Sequence, residues 1–119
     1  MSEALPRILI VEDEAVIAFV LRIELEERGY TVCETVDSGE DAVRSVVELK
    51  PDVVLMDIRI RGSMDGIATA AAIRGVASGT KIIFITGYGN AELRTRAAEV
   101  EPVAFLEKPI QVETLIGYL

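Results

Sequence analysis

Glu12 and Asp13 directly follow the apolar run Ile8-Leu9-Ile10-Val11, and Asp57 ends a second such run, Val53-Val54-Leu55-Met56. Two further runs end in other functional groups. Ile82-Ile83-Phe84-Ile85 leads into Thr86 and Gly87, and Phe105-Leu106 leads into Glu107, Lys108 and Pro109. Carboxylates gather in one place only where a cation or a reaction compensates their repulsion. Oxygen ligands alone suit a hard cation such as Mg²⁺, which prefers octahedral geometry and keeps several waters. A hydroxyl and an ammonium beside it suit a bound phosphoryl group. A carboxylate next to the metal can then serve as a nucleophile and form an acyl phosphate. Taken singly, each residue has a plainer role: Asp13 or Glu14 as a helix cap, Asp57 in a turn, Thr86 as a cap, Lys108 as a solvated charge. Their joint recurrence at strand ends is what gives the set its weight.

For these groups to meet, the runs that carry them must be neighbouring strands. Four consecutive apolar residues mark a strand buried on both faces, as in parallel sheets. In such sheets the ligand crevice lies beyond the carboxyl ends of the strands. The alternation along the chain supplies that sheet. Strands are expected at Arg7–Val11, Thr31–Val36, Val53–Met56, Lys81–Ile85 and Val103–Leu106. Helices are expected at Glu14–Arg28 with Gly29 as the stop, from Asp37 or Ser38 to Leu49, from the loop Arg61–Gly66 to Gly75, at Ala91–Val100 and at Val112–Leu119. Five βα units in this length imply an α/β fold, a parallel sheet with helices on both faces.

Composition excludes several function classes. The 119 residues suffice for one domain, half of them are apolar, and the formal charge is −8. No basic stripe exists to neutralise nucleic-acid phosphates or anionic membranes. The apolar stretches are too short for a membrane span or a signal peptide, so a cytoplasmic location is expected. Histidine is absent, which removes the usual general base and the commonest transition-metal ligand. Cys33, alone in a strand, reads as a buried inert thiol.

The first helix carries two apolar stripes side by side. Ile17, Ala18, Leu21 and Leu25 form one; Val16, Phe19, Val20 and Ile23 form the other. Only one can face the sheet squarely. Either the helix is deeply embedded, or Phe19, Val20 and Ile23 form an exposed patch for a partner or a twin subunit.

The motifs Val11-Glu12-Asp13-Glu14, Leu55-Met56-Asp57, Asp65-Gly66, Phe84-Ile85-Thr86-Gly87 and Phe105-Leu106-Glu107-Lys108-Pro109 stand in a fixed order. In this the chain resembles the receiver domain of two-component response regulators, of the chemotaxis-regulator kind, over nearly its whole length. The resemblance implies one receiver domain over residues 1–119. It also implies a flavodoxin-like, doubly wound five-stranded parallel sheet of order 2-1-3-4-5 with five helices. It further implies that Asp57 accepts a phosphoryl group from a phosphohistidine on a sensor kinase or phosphotransfer protein and later loses it slowly by self-dephosphorylation. Asp13, Asp57 and the backbone carbonyl of Arg59 would bind Mg²⁺, with Glu12 acting mainly through water. Lys108 and Thr86 would contact phosphoryl oxygens, and Gly87 would leave room for the entering group. Movement of Thr86 coupled to inward rotation of Phe105 would be the switch. A cis Lys108-Pro109 peptide would aim the ammonium inward, and a homodimer is a further possibility at the first-helix patch. The implied protein is a signalling phosphoacceptor, not a turnover enzyme.

The segment Asp57-Ile58-Arg59-Ile60-Arg61-Gly62-Ser63-Met64-Asp65-Gly66 departs from the pattern, lacking a Pro and running one residue longer. A more mobile loop is expected, with Arg59 or Arg61 able to reach or shield the phosphoryl group and Tyr88 able to gate the attacking water. Three rivals compete. A haloacid-dehalogenase-type phosphatase would need an Asp-x-Asp pair after the first strand, where Glu12-Asp13-Glu14 stands. A flavodoxin-type flavin module would need a Ser/Thr/Gly phosphate loop there. A degenerate receiver used as a scaffold would not keep all five groups.

Overall fold

A computed structural model describes residues 5–87 and 89–119; Tyr88 and its expected gating role lie outside them. The elements alternate without exception: β1 (Arg7–Val11), α1 (Ala15–Glu27), β2 (Thr31–Val36), α2 (Gly39–Leu49), β3 (Val53–Met56), α3 (Gly66–Val76), β4 (Lys81–Thr86), α4 (Ala91–Ala98), β5 (Ala104–Glu107) and α5 (Val112–Ile116). All strand pairs are parallel, in the order β2-β1-β3-β4-β5. The expected doubly wound, flavodoxin-like architecture is therefore the observed one.

The reason the strands read as unbroken apolar runs is visible in where alternate side chains go. Leu9, Val11, Val54, Met56, Ile82 and Phe84 pack on one face of the sheet with Ala42 and Val46 of α2, Ile67, Ala70 and Ile73 of α3, and Ala97 of α4. Ile8, Ile10, Val53, Leu55, Ile83 and Ile85 pack on the other with Ala18, Leu21 and Leu25 of α1 and Val112 and Leu115 of α5. Both faces are covered, so a polar residue inside any run would be stranded in a core. The first polar residue after each run marks the edge of the sheet.

Several boundaries shift by a residue or two. β4 continues through Thr86 and β5 through Glu107 because Thr86 and Glu107 are paired in the ladder. The fourth helix ends at Ala98 and the fifth at Ile116. Ser38, not Asp37, caps α2 by accepting from Asp41 N. Cys33 is only half-buried; its Sγ donates to Ile8 O and burial pushes its thiol pKa up, which keeps it unreactive.

Helix α1 decides between its two stripes. Ala18, Leu21 and Leu25 of the first stripe are buried, but its Ile17 is exposed, at the start of the helix beside Val16, and Val16, Phe19, Val20 and Ile23 are 75%, 63%, 47% and 38% exposed. The helix is not deeply embedded; its second stripe faces outward.

Candidate functional site

The order of the sheet reverses direction at β1, and β1 and β3 lie side by side with Val11 opposite Met56. The residues that follow each, Glu12 and Asp57, therefore emerge together at the switch point, where crevices form in open α/β sheets. Both are buried at 7% exposure, although both are acids. Asp13 is half-buried beside them, and a carboxylate oxygen from each of the three lies within 4.8 Å of the others.

One cation serves two of these acids. Lys108 Nζ donates to Glu12 Oε1 at 2.5 Å and to Asp57 Oδ2 at 3.0 Å. Lys108 follows β5, and its N–H donates to Thr86 O at 2.8 Å, so the lysine is carried on the strand next to the buried Thr86. The Lys108-Pro109 peptide is cis, as expected. Burial lifts the Glu12 carboxyl to a pKa of about 7, the Lys108 hydrogen bond pulling it down and Asp57 pushing it up. Burial works against the Lys108 ammonium, but its hydrogen bonds to Glu12 and Asp57 outweigh this and raise its pKa. The pocket is thus short of positive charge: three carboxylates meet the Lys108 ammonium, with Arg59 also in the lining. That deficit, and a donor set made only of oxygen, fit a hard cation. Glu12, Asp13 and Asp57 together can hold a metal ion.

Of the plainer roles only that of Asp57 survives, its Oδ1 accepting from Arg59 N at 3.3 Å as in a turn. Glu14 occupies the N-cap of α1 without a side-chain cap bond; the N–H of Glu14 donates instead to Glu12 Oε2 at 3.2 Å. Asn90, not Thr86, caps α4. Lys108 is paired rather than solvated. Thr86, Gly87, Arg59, Asp13, Asp57 and Lys108 line one pocket of about 380 Å³. Phe105 is half-buried on β5, opposite Phe84 and 6.2 Å from it between ring centres.

The long loop after Asp57 is fastened, against the expectation of mobility. Arg61 N donates to Asp37 O, and the Arg61 guanidinium lies 3.7 Å from the carboxylate of Asp37, in the turn that leads into α2, and is not part of the pocket lining. Ser63 donates from N and Oγ to Glu40 Oε2 at 3.2 and 2.8 Å. Gly62, at φ +97°, is where the chain bends to meet Glu40, a left-handed conformation that other residues adopt at a cost. Ile58 is buried beneath the loop. At its end Gly66 N donates to Ile58 O at 2.7 Å, and a Cβ on Gly66 would stand 2.1 Å from Asp57 O. The Asp65-Gly66 signature is therefore a packing requirement: only glycine lets α3 begin against the backbone of Asp57.

Two neighbours of the pocket escaped sequence reasoning. Arg94 lies over the Phe105 ring at 4.6 Å and pairs with Glu107 at 3.0 Å. A groove of about 510 Å³ runs from Glu12, Asp57 and Lys108 between Val16, Ile17 and Val20 of α1 and Pro109 and Ile110. The apolar spacing on α1 signalled the groove's first wall; nothing in the sequence signalled the second.

Comparison with known proteins agrees with this geometry. A family model described as the response regulator receiver domain matches residues 8–119. The chain is 35% identical over 110 residues to the transcriptional regulatory protein PdtaR of Mycobacterium tuberculosis, covering 92% of this chain and 53% of PdtaR. It therefore spans about half the length of that relative. It is 32% identical over 113 residues to the chemotaxis protein CheY of Thermotoga maritima, covering 95% and 93% of the two chains. Among solved structures, the signal receiver domain of a modulated diguanylate cyclase from Desulfovibrio desulfuricans G20 superimposes with a TM-score of 0.88 at 43% identity, over 96% of this chain and 90% of that one. With the acids, hydroxyl and ammonium converging at the carboxyl edge of a 2-1-3-4-5 sheet, the chain belongs to the response regulator receiver domain family, signalling phosphoacceptors that work with histidine kinases or phosphotransfer proteins.

Proposed function

We propose that Asp57 is the phosphoacceptor of a cytoplasmic phosphorelay switch. The observation that carries this is a buried aspartate at the end of the central strand β3, 3.0 Å from an ammonium and within reach of two further carboxylates. A carboxylate oxygen of Asp57 attacks the phosphorus of a phosphohistidine. The P–O bond forms as the P–N bond breaks, and the leaving imidazole keeps the electron pair and takes a proton. Water later attacks the acyl phosphate, releasing inorganic phosphate and restoring the carboxylate; this is the slow self-dephosphorylation.

Glu12, Asp13 and Asp57 would hold Mg²⁺ with the backbone carbonyl of Arg59. The ion would neutralise the carboxylates against which a dianionic phosphoryl group would otherwise be repelled. Lys108, already an anion partner of Asp57, is placed to follow negative charge onto a phosphoryl oxygen, and Thr86 supplies a hydroxyl to another. Thr86 and Phe105, on adjacent strands, form the switch. Val20 of the outward stripe of α1 lines the groove that ends at Asp57, and the exposed Phe19 and Ile23 continue the apolar surface beyond it, so a donor helix seated there brings its phosphohistidine to the acceptor. Concentration-dependent self-association lost in Phe19→Glu/Ile23→Lys would reassign the patch to a homodimer.

Incubation with acetyl phosphate and Mg²⁺ followed by intact-mass measurement tests the acceptor. The expected result is a gain of one phosphoryl group in the wild type and none in Asp57→Asn. No gain in the wild type sinks the reading; a gain that persists in Asp57→Asn names the wrong residue.

A further inference from the structure

Helix α4 is the least embedded long helix of the fold: only Ala97 is fully buried, with Leu93 half-buried against the core. What holds it is polar. Arg96 pairs with Asp65 at 3.1 Å, and Asp65 stands at the end of the loop that begins at Asp57. Arg94 grips β5 twice, lying over the face of Phe105 at 4.6 Å and pairing with Glu107 Oε1 at 3.0 Å. Phe105 and Glu107 are two apart on the strand and so project to the same side. The fit is close, because a Cβ on Gly89 would stand 2.4 Å from Glu107 Oε1 and 3.2 Å from Phe105 Cε1. Glu107 in turn adjoins Lys108, the ammonium that touches Asp57, and pairs across the ladder with Thr86.

We propose that Arg94 is a positioning residue that couples the pocket to α4. In the resting protein it clamps α4 onto Phe105 and Glu107, and occupation of Asp57 by a phosphoryl group releases the clamp. This rests on the reading of Asp57 as acceptor and of Phe105 as a residue that turns inward. A ring that leaves its place beneath the guanidinium gives up the cation–π contact. A shift at Lys108 to follow a phosphoryl oxygen disturbs the adjoining Glu107 and with it the ion pair. Coupling of this kind is reciprocal. If occupation of Asp57 weakens the clamp, removal of the clamp must strengthen occupation of Asp57. Arg94 is not among the described residues that line the pocket, and its contacts with Phe105 and Glu107 lead to it through β5.

The test uses beryllofluoride with Mg²⁺ as a stable phosphoryl mimic. Its affinity is measured by calorimetry, and amide exchange across residues 91–98 is followed by mass spectrometry. Arg94→Ala is expected to bind beryllofluoride roughly fivefold more tightly than wild type. In the free protein it should exchange α4 amides faster. Glu107→Gln, which spares the stack, should shift both readouts the same way by less, and Arg94→Ala/Glu107→Gln should not exceed Arg94→Ala alone. Unchanged or weaker beryllofluoride binding in Arg94→Ala, with wild type binding normally, overturns the clamp and leaves the acceptor intact. A wild type that binds no beryllofluoride and gains no phosphoryl mass sinks the acceptor, and the clamp with it.

Discussion

On the α1 flank of the pocket Val16, Ile17, Phe19, Val20 and Ile23 stand exposed along one helix face. On the α4 flank exposed side chains are held by charge and hydrogen bonding: Arg94 to Glu107, Arg96 to Asp65, and, further round, Ser63 to Glu40. The two flanks invite different events. An apolar stripe gains when another surface covers it, and nothing inside the chain has to move first. A helix secured by surface ion pairs over a thin apolar footing can be repositioned cheaply, because each such pair contributes little. One flank is built to receive and the other to respond, and Asp57 lies between them.

The strongest way to break this division is at its root. Gly66→Ala drives a Cβ into the Asp57 carbonyl. The expected cost is about 2–3 kcal/mol in urea unfolding, as for overpacking against an unyielding backbone, together with loss of the mass gain from acetyl phosphate. A cost under about 0.5 kcal/mol would mean that the loop gives way and does not define the position of Asp57. Next comes the receiving flank. Phe19→Glu with Ile23→Lys should slow transfer from a phosphorylated kinase about tenfold, equivalent to about 1.4 kcal/mol, while acetyl phosphate uptake and stability stay unchanged. Unfolding of a monomer by both changes would show that the stripe is core.

The responding flank should yield less to single changes. Arg96→Ala removes one exposed pair and is expected to lower stability by about 0.5 kcal/mol. The cap bond from Ala68 N to Asp65 remains. Larger losses would show that α4 is anchored and not poised. The smallest effect concerns the loop. Hydrogen bonds from the Ser63 hydroxyl and amide hold the Glu40 carboxyl below its ordinary value of 4.5. A depressed acid contributes above its unfolded-state pKa and loses that contribution as pH falls through the lower folded value. Exchange protection at the Ser63 amide should therefore be flat from neutral pH down to about 4.5 and fall away below it. Glu40→Gln should remove this dependence; a fall already complete at pH 6 would assign it to another group.

The strands and the acids at their ends were legible because burial on both faces forbids polar residues inside a run, so the run itself points to the edge. Asp65-Gly66 was legible as a motif, but its reason, the close approach of α3 to Asp57, is a matter of backbone packing. The doubled stripe on α1 was legible as an anomaly whose outcome depended on how far the helix sinks into the sheet. What stayed hidden were pairings distant along the chain. Lys108 with Glu12, and Ser63 with Glu40, join residues 96 and 23 apart. Surface charges carry no periodicity that would announce a partner, so nothing along the sequence singled out Arg94 or Arg96. The loop misled for the same reason: length and the missing Pro suggested freedom, while its restraint came from α2.

The hydrogen bond from Gly66 to Ile58 closes the intervening residues into a ring whose mouth is 2.7 Å wide. A ring of this kind separates circumference from position. Residues can be added around it while Asp57 and the start of α3 stay where they are, at a closure cost of only about 0.6 kcal/mol for each doubling of length. The tip near Gly62 is therefore a place to insert a reporter peptide or a ligand-binding graft.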